Sequence, residues 1–306
     1  MSEPTISGWV MRMQSGFITV LTDDARQIVC QVRGRLKKHR FEGDILSIGD
    51  QVQIMLQADG TGMIESIEPR DSELARMAPT PRGEYRQILL SNPDQVVLVF
   101  ACANPEPRLR MLDRFLVICE KQNIPAIIVA NKVDLIGIEA AKKIFDLYED
   151  LDYTVIYTSV AQRLGLEDLR EWLAGKISGL AGPSGVGKSS LLNAIQPGLG
   201  LAVRAISDAT SKGRHTTVVR EMFPFQDGGF VADLPGLKSL ALWDTEPEEL
   251  DGYFPELRDL VWQCQFNNCT HRVEPGCAVK KAVEEGRVHP ARYESYLRMR
   301  FGDEEE

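Results

Sequence analysis

Five short runs of alternating apolar and polar residues fill the first part of the chain, at 8–13, 17–21, 27–33, 50–56 and 63–68. Turn-forming pairs separate them: Ser15-Gly16, Asp23-Asp24, Gly49-Asp50 and Asp59-Gly60. This spacing predicts short strands curling into a small barrel, of which the OB-fold is a common type. Residues 70–87, with Pro79, Pro81 and Gly83, read as a polar link. From Pro93 the pattern changes. Solidly apolar runs at 96–100, 126–130 and 154–158 alternate with helical patterns at 108–122, 139–151 and 166–173. Such alternation predicts βαβ units on a parallel sheet. A further apolar run at 177–181 leads into a helix at 188–195, and strands at 217–223 and 229–233 close the domain. Beyond Trp243 the pattern is helical and cysteine-rich.

Composition adds bounds. With 306 residues, 43% hydrophobic and 26% charged, the chain reads as an ordinary globular protein of about two or three domains. The start Met1-Ser2-Glu3-Pro4 lacks the basic and apolar segments of a secretory leader. No apolar run approaches the ~18 residues of a membrane helix. Six cysteines without an export signal predict a reducing, cytoplasmic setting.

The chemistry begins at the strand-to-helix junction. Gly182, Pro183, Ser184, Gly185, Val186, Gly187, Lys188 and Ser189 form a complete G-x-x-x-x-G-K-S phosphate loop. Its glycines let backbone N–H groups curl around phosphate, and the following helix points its positive end at the β-phosphate. Lys188 is placed to bridge β- and γ-oxygens, Ser189 to ligate Mg²⁺, and the Ser190 N–H to reach the α-phosphate.

Asn131, Lys132, Val133 and Asp134 follow an apolar strand, where open parallel sheets bind ligands. The Asp134 carboxylate can accept from guanine N1–H and N2–H₂, groups adenine lacks. Asn131 could bond the base or brace the phosphate loop, and the Lys132 stem could cover the base. Ser159 and Val160, after the next strand, fit a backbone contact to guanine O6. This guanine-reading tetrad precedes the phosphate loop, whereas the ordinary GTPase order is the reverse. The sequence therefore predicts a circularly permuted P-loop GTPase domain.

Asp233-Leu234-Pro235-Gly236 ends a later strand. Asp233 suits an outer-shell hold on Mg²⁺ and the Gly236 N–H a γ-phosphate contact. Either Thr216 or Thr217 is the candidate switch threonine ligating Mg²⁺. Leu237 stands where many GTPases carry a water-orienting Gln, and leucine cannot hydrogen-bond water. Slow intrinsic hydrolysis is expected, with His215 the candidate replacement.

Cys264, Cys269, His271 and Cys277 form C-x₄-C-x-H-x₅-C, three thiols and one imidazole suited to a closed tetrahedral Zn²⁺ site. Four protein ligands leave no open position, so this zinc is expected to be structural. Cys30, Cys102 and Cys119 are isolated and read as buried packing residues.

The net charge is −9, so a basic patch stands out. From Ala25 to Phe41 the chain carries Arg26, Arg33, Arg35, Lys37, Lys38, His39 and Arg40, and no acid. Such a run in a barrel strand and loop fits an RNA backbone. A weaker set follows the cysteines: Lys280, Lys281, Arg287, His289, Arg292, Arg298 and Arg300.

Together these residues resemble the ribosome-small-subunit-dependent GTPases (RsgA/YjeQ), a circularly permuted family. The resemblance runs through the barrel, Ser91-Asn92-Pro93-Asp94-Gln95, the tetrad, the phosphate loop, Gly213-Arg214-His215-Thr216-Thr217, Asp233 to Gly236 and the cysteine pattern. It implies a cytoplasmic factor in late maturation of the small (30S) ribosomal subunit, with 16S rRNA contacts and subunit-stimulated GTP hydrolysis. Val160-Ala161 departs from the family's small-residue guanine loop, and the acidic C-terminus excludes carrying over a basic RNA-binding tail.

The expected architecture is a multidomain α/β protein, and a monomer. An OB-fold RNA-binding domain spans 1–72, a linker 73–90, a circularly permuted GTPase domain 91–243 and an α-helical zinc-binding domain 244–306. The competing readings are a P-loop ATPase or kinase with an accessory RNA-binding barrel, and an RNA-binding module in which nucleotide only stabilises the fold.

Overall fold

The computed structural model of the chain describes residues 5–14, 16–34, 36, 44–80, 83–199, 201, 220–234 and 245–302. All five N-terminal strands form: β1 (Ile6–Gln14), β2 (Phe17–Thr22), β3 (Gln27–Val32), β4 (Gln51–Leu56) and β5 (Gly62–Ile67). They close in the order β1-β2-β3-β5-β4 and back to β1, antiparallel except for β3 with β5. Alternation explains the closure. Val10, Ile18, Val20, Ile28, Cys30, Val52, Ile54 and Ile64 all point inward and form the barrel core. A bulge at Val10/Arg12 bends β1, as barrel corners require.

The segment read as a polar link is instead a long antiparallel hairpin, β6 (Glu73–Thr80) with β7 (Gly83–Ser91). Its base is apolar, with Leu74, Ala75, Ile88, Leu89 and Leu90 buried. Pro79 near the end of β6 and Gly83 at the start of β7 flank the turn and prompt the linker reading; Pro81 lies outside the described residues. Arg70 braces the base, bonding buried Asp50 at 2.6 and 2.8 Å and Glu73 at 2.9 Å.

The GTPase sheet contains β8 (Gln95–Ala101), β9 (Ala126–Asn131), β10 (Thr154–Thr158), β11 (Lys176–Ala181), β12 (Arg220–Pro224) and β13 (Gly229–Asp233). Its order is β10-β9-β8-β11-β13-β12, parallel except for β12. Every residue of β8 is buried, as expected for a strand covered on both faces. Leu98, Phe100 and Ile128 face α1 (Leu109–Lys121) and α2 (Ile138–Glu149). Val97, Val99, Ile127 and Val129 face α3 (Leu166–Leu173) and α4 (Lys188–Ile195). The strand predicted over 217–223 is described from Arg220 onward.

β12 also pairs with β1, so barrel and GTPase sheet form one eleven-stranded sheet. Trp9 meets Phe230 across this border, ring centroids 5.7 Å apart. The C-terminal region holds α5 (Pro255–Val261), α6 (Ala278–Glu284) and α7 (Pro290–Phe301) around Phe254, Leu257, Val279 and Tyr296. Val117 of α1 joins this core, so α1 is buried on two sides. Among the described residues, no helix is long and apolar enough to cross a membrane.

Candidate nucleotide site and metal centre

The phosphate loop leaves the middle of the sheet, between β8 and β13, and ends in α4. Two glycines are required by contact. A Cβ on Gly182, at φ +145°, would meet the Val99 carbonyl oxygen at 2.1 Å. One on Gly187, at φ +101°, would meet Asn131 Nδ2 at 2.5 Å. Lys188 Nζ donates back to the carbonyls of Gly182 (2.8 Å) and Pro183 (3.1 Å), which holds the ammonium over its own loop. Ser189 and Ser190 occupy the first turn of α4, and Val186 is buried beneath the loop.

The tetrad reaches this loop directly. Asn131 ends β9, buried, and donates Nδ2 to the Val186 carbonyl at 2.8 Å. Thr158 at the end of β10 fixes that amide, donating to Asn131 Oδ1 at 3.0 Å. Of the two roles open to Asn131, bracing the phosphate loop is the one observed. Lys132, in a left-handed conformation, lays its stem across the site and donates to the carbonyls of Gly185 (2.7 Å) and Asn104. Partial burial holds its ammonium below the usual lysine range, opposed by Asp134. Val133 is buried and opens the turn carrying Asp134.

Ser159 Oγ donates to Asp134 Oδ1 at 2.5 Å and accepts from the Gln162 N–H at 3.1 Å. Ser159 thus touches the candidate base-reading carboxylate through its side chain, with Val160 next in the loop. Asp233 ends β13 beside Leu180 of β11, and the Leu234 N–H bonds the Leu180 carbonyl at 3.0 Å. One edge of the sheet therefore gathers Asn131, Lys132, Asp134, Ser159, Lys188, Ser189 and Asp233. His215, Thr216, Thr217, Gly236 and Leu237 lie outside the described residues. Sequence reasoning missed Thr158 and Asn104, which act through neighbours and carry no motif.

Cys264, Cys269, His271 and Cys277 converge, with their ligand atoms within 4.8 Å of one another. Tetrahedral zinc, with Zn–S of about 2.3 Å and Zn–N of about 2.0–2.1 Å, sets S···S near ~3.8 Å and N···S near ~3.6 Å. Cys264 Sγ lies 4.0 Å from Cys277 Sγ, and His271 Nδ1 lies 3.6 and 3.4 Å from those two sulfurs. The donor set fits such an ion. Burial pushes the Cys269 thiol up to about 12 and raises Cys277, so the pocket disfavours thiolates unless a cation is present. His271 turns Nε2 toward Asp251 Oδ2 at 3.1 Å, the carboxylate–histidine arrangement that fixes which ring nitrogen faces a metal. Asp251 lies outside the cysteine spacing, so no sequence signal points to it.

The basic residues divide. Arg26 pairs with Asp24 at 2.7 Å and Arg33 pairs with Glu65, while Arg35, Lys37, Lys38, His39 and Arg40 lie outside the described residues. The weaker C-terminal set is not a free basic face. Arg292 is buried between Asp113 and Glu256, Arg287 pairs with Glu285, Arg298 with Glu294, and Arg300 lies 3.7 Å from Asp251. Cys30, Cys102 and Cys119 are buried, as their isolation in sequence suggests.

Comparison with known proteins gives concordant matches. The family model of the RsgA N-terminal domain matches residues 7–64, and that of the RsgA GTPase matches residues 67–243. A relative from Gemmatimonas aurantiaca, named small ribosomal subunit biogenesis GTPase RsgA, is 47% identical over 297 residues, covering 96% of each chain. A protein of the same name from Thermotoga maritima is 40% identical, covering 95% of each. The crystal structure of YjeQ from Thermotoga maritima superposes with a TM-score of 0.79 at 36% identity, covering 98% of each chain. That of YloQ, described as a circularly permuted GTPase, gives 0.73 at 33% identity, covering 99% of this chain and 97% of the other. The two family models cover 7–64 and 67–243, and the relatives match along nearly their whole length: the chain belongs to the RsgA GTPase family.

Proposed function

We propose that this chain converts GTP and water to GDP and phosphate during late maturation of the small (30S) ribosomal subunit, where it contacts 16S rRNA and is stimulated by the subunit. The observation that carries the reading is the pair of bonds from Asn131 and Lys132 to the Val186 and Gly185 carbonyls. They tie the segment that leads into Asp134 directly to the phosphate loop, which supports one nucleotide being held by both. Asp134 supports guanine over adenine, because adenine would leave the carboxylate without N–H partners, a discrimination on the order of 10⁴-fold. That disfavours the ATPase and kinase readings.

In the reaction, the loop amides and Lys188 hold the β- and γ-phosphates in place. Ser189 and one of Thr216 or Thr217 would hold Mg²⁺, whose chemistry would be to offset charge on the β- and γ-phosphates. Asp233 would help hold that ion, and the Gly236 N–H would donate to the γ-phosphate. Leu237 offers no hydrogen bond to water, so turnover is slow until the subunit arrives, with His215 the candidate for orienting water. The Cys₃His cluster would hold one structural zinc, which would tie the segment between α5 and α6 together. The protein works as a cytoplasmic monomer, its barrel tracking RNA through the basic run.

The test is GTP turnover with and without purified small subunits at fixed salt, together with displacement of bound GDP by ADP. Stimulation with no ADP displacement is expected. Equal displacement by ADP and GDP, or turnover indifferent to subunits, would refute the reading.

A further inference from the structure

The barrel and the GTPase sheet meet along one strand. β12 pairs with β1 through Arg12↔Glu221 and Met13↔Arg220. On its other side it pairs with β13, which ends at Asp233. Arg220, the first residue of β12, comes three positions after Thr217, the second candidate switch threonine. Strand β12 is therefore anchored to the barrel at one edge and to the nucleotide-facing sheet at the other.

Arg220 adds side-chain bonds to that border. Its Nη1 donates to the Ile88 carbonyl at 2.6 Å and lies 3.9 Å from Asp44 Oδ2. Asp44 is itself held: Oδ1 accepts from the Tyr85 hydroxyl at 2.9 Å, and Oδ2 from the Ile88 N–H at 3.1 Å. Its carbonyl accepts from Arg70, which is locked onto buried Asp50. Arg220 and Asp44 are each about three-quarters buried, with 24% and 25% of their side chains exposed. Burial draws the guanidinium below the usual arginine range, and Asp44 opposes the shift.

In sequence, Asp44 follows the basic run by four residues, counting from Arg40. The Arg220–Asp44 pair thus ties the chain leaving the candidate switch threonines to the chain leaving the candidate RNA-binding run. The hairpin base, through Ile88 and Tyr85, is the shared support.

We propose that Arg220 couples the barrel to the nucleotide site and acts only in the subunit-stimulated rate: it fixes the start of β12 against Asp44 and Ile88, so that RNA held by the barrel raises turnover at the nucleotide. The proposal rests on the function proposed above. A part-buried pair suits this role because its loss leaves two charges poorly solvated, which favours discrete arrangements over gradual drift.

The test compares full-length wild type, Arg220→Ala, Arg220→Lys and Asp44→Asn, each without and with saturating small subunits. Unstimulated turnover and GDP affinity should stay within about twofold of wild type, since neither residue touches nucleotide, while stimulation falls by roughly tenfold or more in Arg220→Ala and Asp44→Asn. Subunit affinity should be unchanged. Arg220→Lys should retain most of the stimulation, because one nitrogen, Nη1, makes both the Ile88 hydrogen bond and the Asp44 ion pair. Asp44→Asn keeps the coupling testable should Arg220→Ala melt early. Full stimulation in both disrupted variants overturns the proposal, as does a loss of stimulation fully explained by weaker subunit binding. A wild type that subunits fail to stimulate refutes the underlying function, and this inference falls with it; a stimulated wild type with equally stimulated variants refutes this inference alone.

Discussion

Arg292 on α7 and Asp113 on α1 form a buried ion pair, 2.7 Å between Nη1 and Oδ1, although 179 residues separate them. Glu256 of α5 takes the other side of the guanidinium at 2.6 and 3.2 Å. Tyr148 and Ser295 donate to Asp113, and the Phe254 ring lies 4.6 Å under the guanidinium carbon. Every charge in this cluster has a partner, and the cluster sits where α5 and α7 dock on α1 and on Tyr148 of α2.

Replacing Arg292 with Met should therefore strand two carboxylates in a dry interface, at a cost of about 3–5 kcal/mol. Thermal unfolding should show a midpoint lowered by roughly 10 °C. Arg292→Met combined with Asp113→Asn should cost less than the two single changes summed. A single variant as stable as wild type would show that the cluster contributes little.

Two substitutions separate base reading from bracing. Asp134→Asn should weaken GDP binding by on the order of 10²–10⁴-fold and improve xanthosine diphosphate, because the amide now complements the xanthine edge. Asn131→Ala should weaken both nucleotides alike, by about 10–100-fold, since it leaves the Val186 carbonyl and Thr158 hydroxyl short of a partner. Competition binding with the two diphosphates reads both effects. An unchanged base preference in Asp134→Asn would remove it from the base site.

Metal removal should act on the C-terminal region. Cys264→Ser, or a strong chelator, should release one zinc per chain and raise protease sensitivity around α5 and α6. Asp251→Asn should keep the four ligands but lower zinc affinity by roughly 10–100-fold. Zinc retained by Cys264→Ser at wild-type affinity would contradict the ligand assignment. Affinity should fall toward acid pH, because protons compete for the thiolates.

The basic run should show itself in salt. Changing Lys37 and Lys38 to Gln should lower RNA affinity with little dependence on RNA sequence. It should also flatten the slope of log affinity against log salt by about 0.7–0.9 for each phosphate no longer neutralised. An unaltered slope would place those lysines off the RNA.

Much of the fold is legible in the chain because burial and period agree. β8, β9 and β11 are apolar on both faces, and the barrel strands alternate cleanly. The phosphate loop and the tetrad are readable because their chemistry fixes residue types at fixed spacing. What stays hidden depends on partners distant in sequence. Arg292 looks like one more cation in a basic stretch until Asp113 is brought against it. Asp251 has no motif linking it to His271, and Thr158 becomes meaningful only beside Asn131. The hairpin reads as a linker because its tip residues are turn formers, which mark a bend without saying whether the flanking strands pair.

The shared border between β1 and β12 has a consequence for modularity. A fragment begun after the barrel would bare part of the outer rim of β12, together with Phe230 where Trp9 now covers it. An uncapped rim of this kind invites neighbouring molecules to add strands. The catalytic half is thus poorly suited to life as a free-standing unit, and the barrel serves as its built-in guard against self-association.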